Sequence, residues 1–418
     1  MTSEVLTPLE LPSPRRFVTR GAVARTLIHK IVAHVPVRLR YPDGSTVGAE
    51  SPDAPTLDVI RPDSMYRRIG EHPKIGLGEG YMAGDWRAAE GTDLAQALLP
   101  FAERMSHLLP KPLLSMRRLV DRALPTATRN TISGSRANIE AHYDLSNDLF
   151  SAFLDPTMSY SSALFDDSRP LADQDLVEAQ HRKIDTILDA AKVGPGSRVL
   201  EIGTGWGELS LRAAARGADV LSITLSREQQ ALARERIAAG GVADRVEVRL
   251  QDYREVSPRI DGTFDAVVSV EMIEAVGEEY WPTYFAAIDK LLAPGGTAVV
   301  QAILMDHDRY LATRNSYGWI QKYIFPGGLI PSLETMRSVT GRHTELRVTG
   351  VHAFGTDYAE TLRRWRLTFL EEWPRIEGGS FDETFKRMWE FYLAYCEAGF
   401  ASGYLDVAQV TMTRPRAA

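Results

Sequence analysis

The residues best placed to do chemistry lie in Val199-Leu200-Glu201-Ile202-Gly203-Thr204-Gly205-Trp206-Gly207. An apolar run ends there in glycines, which let a backbone turn sharply and come close to a ligand. The spacing is G-x-G-x-G rather than the G-x-G-x-x-G of dinucleotide sites. Glu201 precedes the first glycine, where a carboxylate can accept from an ammonium group or orient the loop. Asp252, in Leu250-Gln251-Asp252-Tyr253, follows a later apolar run and suits an exocyclic adenine amine. No carboxylate closes Ile223-Thr224-Leu225-Ser226, where a nicotinamide dinucleotide site normally places one for ribose. Gln229, one helical turn on, is a neutral partner for ribose hydroxyls instead. An adenosyl ligand carrying an amino-acid group, S-adenosylmethionine, meets these demands.

The elements that must position these groups follow from the hydrophobic pattern. Asp175–Ala191, Glu208–Arg216, Arg227–Ala239 and Tyr280–Leu292 read as helices. Ser197–Ile202, Asp219–Leu225, Val246–Leu250, Phe264–Val270 and Thr297–Leu304 read as short apolar strands. Such alternation implies βαβ units around a parallel sheet, an α/β fold with helices on both faces. Residues 306–344, with Pro326-Gly327-Gly328, break the rhythm as a helical insertion. A strand at Leu346–Val351, two helices and a last strand near Leu405–Thr413 complete this domain, which spans 137–418. Ahead of it we expect a loose tail at 1–20, a smaller mixed α+β domain at 21–125 and a polar linker at 126–136. Val37–Tyr41 reads as a strand entering a tight turn at Pro42–Ser45. Ile75–Trp86, rich in glycine and aromatic residues, reads as loop or strand.

Composition narrows the function classes. The 418 residues carry a net charge of −7, which offers nucleic acid no global attraction. The single cysteine, Cys396, rules out an intrachain disulfide and a cysteine-rich metal site, and no metal is expected. No run of about 18 apolar residues offers a spanning helix. From Arg104 to Arg129, six basic residues stand among Leu113, Leu114, Met116 and Leu119. Such a segment suits an anionic lipid surface or a solvated helix face. The expectation is a cytoplasmic protein that meets a membrane, if at all, from its inner surface.

From about Ile75 to Val410 the chain resembles the cyclopropane-fatty-acyl-phospholipid synthase family. The resemblance is carried by Ile75-Gly76-Leu77-Gly78-Glu79-Gly80-Tyr81-Met82, His142-Tyr143-Asp144-Leu145-Ser146-Asn147-Asp148-Leu149-Phe150 and Met158-Ser159-Tyr160-Ser161-Ser162-Ala163. The glycine loop, Thr224-Leu225-Ser226-Arg227-Glu228-Gln229-Gln230, Ser269-Val270-Glu271-Met272-Ile273-Glu274-Ala275-Val276-Gly277 and Tyr323-Ile324-Phe325-Pro326-Gly327-Gly328 extend it. The resemblance implies a class I methyltransferase fold, S-adenosylmethionine as methyl donor and a phospholipid acyl substrate read at the bilayer surface. It also implies an N-terminal lipid-facing domain and a homodimer. Cofactor contacts fall on Tyr160, Ser161, Gly203, Gly205, Thr224, Gln229, Gln251 and Asp252. Glu201, Thr204, Trp206, Gly207 and Leu225 join them from the same loops.

An alkene is a weak nucleophile, so it must be aligned with the donor methyl in an apolar pocket, and the resulting cation must be kept from water. A base then removes a proton. Ring closure gives a cyclopropane; a hydride shift followed by proton loss from the new methyl gives an exocyclic methylene. The resemblance implies that bicarbonate, held by Cys, Glu, His and Tyr, is this base. Glu274 and Tyr358 match two of those positions, but Ser162 stands at the cysteine position and Gln301 at the histidine position. Both can donate to an anion, yet Gln removes a titratable group. Glu271, three residues before Glu274, shares its face if that turn is helical, either as a site group or as a structural acceptor. His142 and Tyr323 are further candidates near the reacting atoms.

These exchanges are similar to those of the actinobacterial enzymes that begin tuberculostearic acid synthesis, which make a 10-methylene chain from an oleoyl phospholipid for a separate reductase. Methylenation is therefore favoured over cyclopropanation. A non-catalytic protein that binds S-adenosylmethionine or lipid is the alternative from another class, against which the complete glycine loop and Glu274 argue.

Overall fold

Runs such as Val199-Leu200, Val267-Val268 and Val299-Val300 bury both members of each pair, as strands covered on two faces require. In the computed structural model, which describes residues 11–14, 18–108, 147–379 and 381–415, these runs form the centre of one sheet. The expected linker at 126–136, His142 and the basic segment beyond residue 108 lie outside the described residues.

The chain divides into two compact units. One takes the described residues within Met1–Ala123, with Asn315–Ile324 and Leu362–Tyr404; the other takes those within Leu124–Arg314, with Phe325–Thr361 and Leu405–Ala418. The units are interleaved along the chain, whereas the expected division is continuous.

In the first unit, β1 (Arg38–Arg40), β2 (Thr46–Gly48), β3 (Thr56–Val59) and β4 (Trp86–Ala88) form a sheet in the order β2-β1-β3-β4. The β1–β2 pair is the hairpin expected around Pro42–Ser45. The glycine-rich stretch read as loop or strand is instead a helix, Pro73–Met82. Its glycines serve close approach. A Cβ at Gly76 would stand 2.1 Å from the Arg68 carbonyl oxygen, and one at Gly78 would stand 2.5 Å from the Trp319 ring and 2.9 Å from Phe391. Those aromatic contacts, with Tyr81 and Trp86 against Phe391, draw the later segments into this unit. Buried charges are paired within it. Arg366 bonds Glu397 at 2.9 Å and Asp93 at 2.8 Å, and Arg68 bonds Asp85 at 3.0 Å.

The second unit holds β5 (Arg198–Ile202), β6 (Asp219–Thr224), β7 (Val246–Leu250), β8 (Phe264–Val270), β9 (Leu292–Met305), β10 (Arg347–Ala353) and β11 (Leu405–Thr413). Their order is β10-β11-β9-β8-β5-β6-β7. β11 runs antiparallel to both β9 and β10, while β5 to β9 are mutually parallel. Alternate residues point to opposite faces. Val199, Val220, Val248, Val268 and Val299 meet the helices Leu176–Ala190, Glu208–Ala215 and Arg227–Ala239. Leu200, Ile223, Val267 and Val300 meet the helix Trp281–Leu291 and Met336. Each such aliphatic side chain contributes about 1.5–3 kcal/mol on full burial, so the sheet is a stiff platform for the loops at its carboxyl edge. The insertion expected at 306–344 contains three helices, His307–Thr313, Trp319–Tyr323 and Leu333–His343, the second of which belongs to the first unit.

Candidate active site

Strand order reverses between β5 and β8, and ligands of open α/β sheets bind outside the carboxyl ends of the strands at such a point. A cavity lies there, among residues at the ends of β5, β6, β7 and β8. Gly203, Gly205 and Gly207 have φ of +99°, +52° and +92°, a region that side-chain-bearing residues rarely adopt. Nothing lies within 4 Å of a Cβ built at Gly205, so this wall is bare backbone facing open space. Gly207 does not line the cavity. It starts the helix Glu208–Ala215, and its Cβ would stand 3.2 Å from that of Ala233 on the next helix.

The other sequence-derived cofactor residues, Tyr160, Ser161, Glu201, Gly203, Thr204, Gly205, Trp206, Thr224, Leu225, Gln229, Gln251 and Asp252, all line the cavity. Most are tied down. The Glu201 carboxylate accepts from Ser210 Oγ at 2.5 Å and Ser222 Oγ at 2.6 Å, and Ser222 Oγ in turn accepts from Thr204 Oγ1 at 2.7 Å. Burial pushes the Glu201 carboxyl up to about 7, against the pull of those hydroxyls and the Lys183 charge. Thr224 donates to Gln229 Oε1 at 2.8 Å. Arg254 grips both oxygens of Asp252, at 2.8 and 2.6 Å. Trp206 Nε1 donates to Asn147 at 2.8 Å.

The expected anion-holding residues converge, but on a protein group. Glu271 Oε1 accepts from the Ser162 N–H at 2.9 Å and from Gln301 Nε2 at 2.8 Å, and Glu271 Oε2 accepts from Tyr358 OH at 2.7 Å. Sheet register makes this possible. Gln301 on β9 stands opposite Val270, the last residue of β8, and Glu271 follows directly. Gln409, opposite Gln301 on β11, donates to its Oε1 at 3.2 Å and so directs its amide N–H toward Glu271. The Ser162 hydroxyl donates to the Ala163 carbonyl, so its contribution to the carboxylate is the backbone N–H.

Glu271 has φ of +48° and precedes the short 3-10 turn Ile273–Ala275, so it shares no helical face with Glu274. Glu274 Oε1 accepts from the Ile303 N–H at 2.5 Å, and its buried Oε2 has no partner among the described residues. Burial, and then the Glu271 charge, pushes the Glu274 carboxyl up to about 8, so it carries a proton near neutrality. Burial also raises Glu271, but Tyr358, Ser162, Gln301 and the Lys183 charge all favour its ionised form. Only one of this pair lines the cavity, and it is Glu271. Tyr323 is elsewhere, in the first unit, donating to Glu79 at 2.7 Å.

Sequence reasoning missed Lys183 and Gln409. Lys183 lines the cavity, is 2% exposed and bonds Ser161 Oγ at 2.8 Å; burial lowers its ammonium to about 8. A lysine on the apolar stripe of Leu176–Ala190, between Ala179 and Ile187, was the available signal.

Bicarbonate does not fit this site. The N–H, amide and phenol that would hold it already bond a carboxylate of the chain. S-adenosylmethionine does fit, given the bare glycine wall and the neutral Thr224–Gln229 pair. The reversed last strand, the glycine turn and the cavity at the switch point define a class I S-adenosylmethionine-dependent methyltransferase.

The model of the mycolic acid cyclopropane synthetase family matches residues 131–410. Tuberculostearic acid methyltransferase UfaA1 of Mycobacterium tuberculosis is 52% identical over 397 residues, covering 94% of this chain and 91% of that protein. Cyclopropane-fatty-acyl-phospholipid synthase of Escherichia coli K12 is 34% identical, covering 86% of this chain and 87% of that one. The crystal structure of mycolic acid cyclopropane synthase CmaA1 complexed with SAH and CTAB is similar at a TM-score of 0.60 and 30% identity, covering 66% of this chain and 98% of that one. The chain belongs to the mycolic acid cyclopropane synthetase family.

Proposed function

We propose that this enzyme transfers a methyl group to the double bond of an oleoyl phospholipid and yields a 10-methylene acyl chain. The observation that carries the reading is a carboxylate, Glu271, on the wall of the adenosyl cavity. Methylation of an alkene, unlike that of an amine or a hydroxyl, leaves a carbon-bound proton to be removed inside the site. The 52% identity to a tuberculostearic acid methyltransferase supports the choice of product.

S-adenosylmethionine supplies an electrophilic methyl. In this reading Gly203, Thr204, Gly205 and Trp206 shape its cradle, with Tyr160 and Ser161 also on the wall. Glu201 faces the ammonium, Thr224 and Gln229 the ribose, and Gln251 and Asp252 the adenine, with Leu225 packing beside it. Glu274, raised to about 8 by burial and then the Glu271 charge, carries a proton near neutrality. The lipid is taken from the cytoplasmic surface of a membrane; no described helix is long and apolar enough to cross one. A homodimer, and a reductase that saturates the methylene, rest on the family resemblance alone. Ring closure to a cyclopropane is the second reading, favoured by the 34% identity to a cyclopropane synthase.

The test is incubation with dioleoyl phospholipid vesicles and S-adenosylmethionine, then double-bond-localising fragmentation of the acyl chains. A terminal methylene at carbon 10 is expected. A cyclopropane, which has the same mass and no double bond, supports the second reading, and no methyl transfer refutes both.

A further inference from the structure

We infer that the carboxylate of Glu271 is the proton acceptor of the reaction, a base built into the chain in the seat where the family resemblance implies bicarbonate. The inference rests on the alkene methylation proposed above and assigns its final step.

Four independent observations converge on this residue. Glu271 borders the cavity, whereas Ser162, Gln301, Tyr358 and Glu274 do not line it. Its carboxylate takes three donors from three separate segments, at 2.7 to 2.9 Å. Its backbone is held in the left-handed region at φ +48°, with its N–H on the Gln301 carbonyl at 2.8 Å. Such backbone strain in a side-chain-bearing residue persists where surrounding structure over-determines it, often at active sites. Finally, Gln301 is itself oriented by Gln409, which donates to its Oε1 at 3.2 Å.

The donors do two things. They hold the carboxylate in one orientation, and they favour its ionised form against burial, which on balance raises it. The neighbouring acid, Glu274, lies off the cavity and accepts from one backbone N–H, so the donors and the exposure to substrate both fall to Glu271. In the proposed step the π electrons of the alkene form the new carbon–carbon bond while the sulfur keeps the electrons of the broken sulfur–methyl bond. After a hydride shift, a C–H bond of the new methyl breaks. Its electron pair closes the exocyclic π bond, and the proton goes to a Glu271 oxygen. Neutral Glu271 later returns that proton to solvent, and no co-reactant is consumed.

The test uses the full chain with dioleoyl phospholipid vesicles in buffer freed of carbon dioxide, with and without added bicarbonate. Wild-type turnover is expected to be the same in both. Glu271→Gln keeps the shape and loses the base, so product formation should fall by about 10²–10⁴-fold. Its affinity for S-adenosylmethionine, measured by calorimetry, should stay within a few fold and show that the variant is folded. Glu271→Gly frees the three donors and suits the positive φ, so added bicarbonate should restore part of its turnover. Wild-type dependence on bicarbonate, or wild-type turnover by Glu271→Gln, overturns the inference. Absence of methyl transfer by the wild type overturns the lipid reading and this one with it, whereas bicarbonate dependence overturns this one alone.

Discussion

Removing one hydroxyl, in Tyr358→Phe, gives the sharpest test of how hydrogen bonds tune the ionisation of the Glu271 carboxyl. Tyr358 is 6% exposed and donates to Glu271 Oε2 at 2.7 Å. A hydrogen bond to a charged group contributes about 1.5–3 kcal/mol, and burial leaves little solvent to screen it. One pKa unit corresponds to about 1.4 kcal/mol, so loss of the donor should raise the Glu271 carboxyl by about 1–2 units. The sign follows from which form the hydroxyl stabilises. It favours the anion, so without it a higher pH is needed to keep the base ionised. Glu274 and Lys183 titrate in the same neighbourhood, so the acid limb of the pH–rate profile belongs to the coupled set. That limb is expected to move up by about 1–2 pH units in a kcat profile at saturating S-adenosylmethionine, with most activity regained on its alkaline side. An unmoved limb, or an equal loss at every pH, would refute the reasoning, because either result means that Tyr358 does not tune the ionisation of Glu271.

Three further outcomes can be checked. Gln409→Leu leaves the Gln301 amide without its guide, and a buried polar atom left unpaired costs about 1–3 kcal/mol. We expect kcat to fall roughly tenfold while the S-adenosylmethionine KM stays put; a change in KM alone argues against a positioning role. Arg366→Leu strands two carboxylates, Glu397 and Asp93, in the first unit. Breaking such a buried pair costs about 3–5 kcal/mol, which a denaturant titration should show as a lowered midpoint. Glu274 has a folded-state value of about 8 against an ordinary 4.5, so the stability it contributes is present below pH 4.5 and is lost as pH rises toward 8. Urea midpoints of the ligand-free protein should therefore decline across that window, and Glu274→Gln should flatten the decline; an equal slope in the variant would contradict the assignment.

Much of the fold was legible because its rules are local. Apolar runs of strand length, alternating with amphipathic helices, leave few arrangements other than a parallel sheet. The glycine loop announces its own turn, since Gly203, Gly205 and Gly207 occupy backbone conformations that other residues avoid. Asp175, Ser226 and Asp382 stand where helices begin, and each side chain caps its helix. Ile75–Trp86 misled for a physical reason. Glycine weakens a helix by about 1 kcal/mol per residue, and nothing local reveals that Trp319 and Phe391 need the space Gly78 leaves or that the Arg68 carbonyl needs that of Gly76.

The site divides along the same line. Residue types and spacing by themselves named most of the residues that line the cavity, because Glu201 to Gly207, Thr224 to Gln229 and Gln251-Asp252 each sit at the end of a strand whose position the pattern sets. Sequence also named Ser162, Gln301, Tyr358 and Glu274 as a group. Only the tertiary structure decided what that group holds. The contacts joining Glu271 to Gln301, Tyr358 and Ser162 span 30, 87 and 109 residues, and the one from Gln409 to Gln301 spans 108. They exist because β8, β9 and β11 pair in one register and because Glu271 turns into the left-handed region. A one-residue slip in β9 would carry the Gln301 side chain to the opposite face, and no local pattern encodes that alignment.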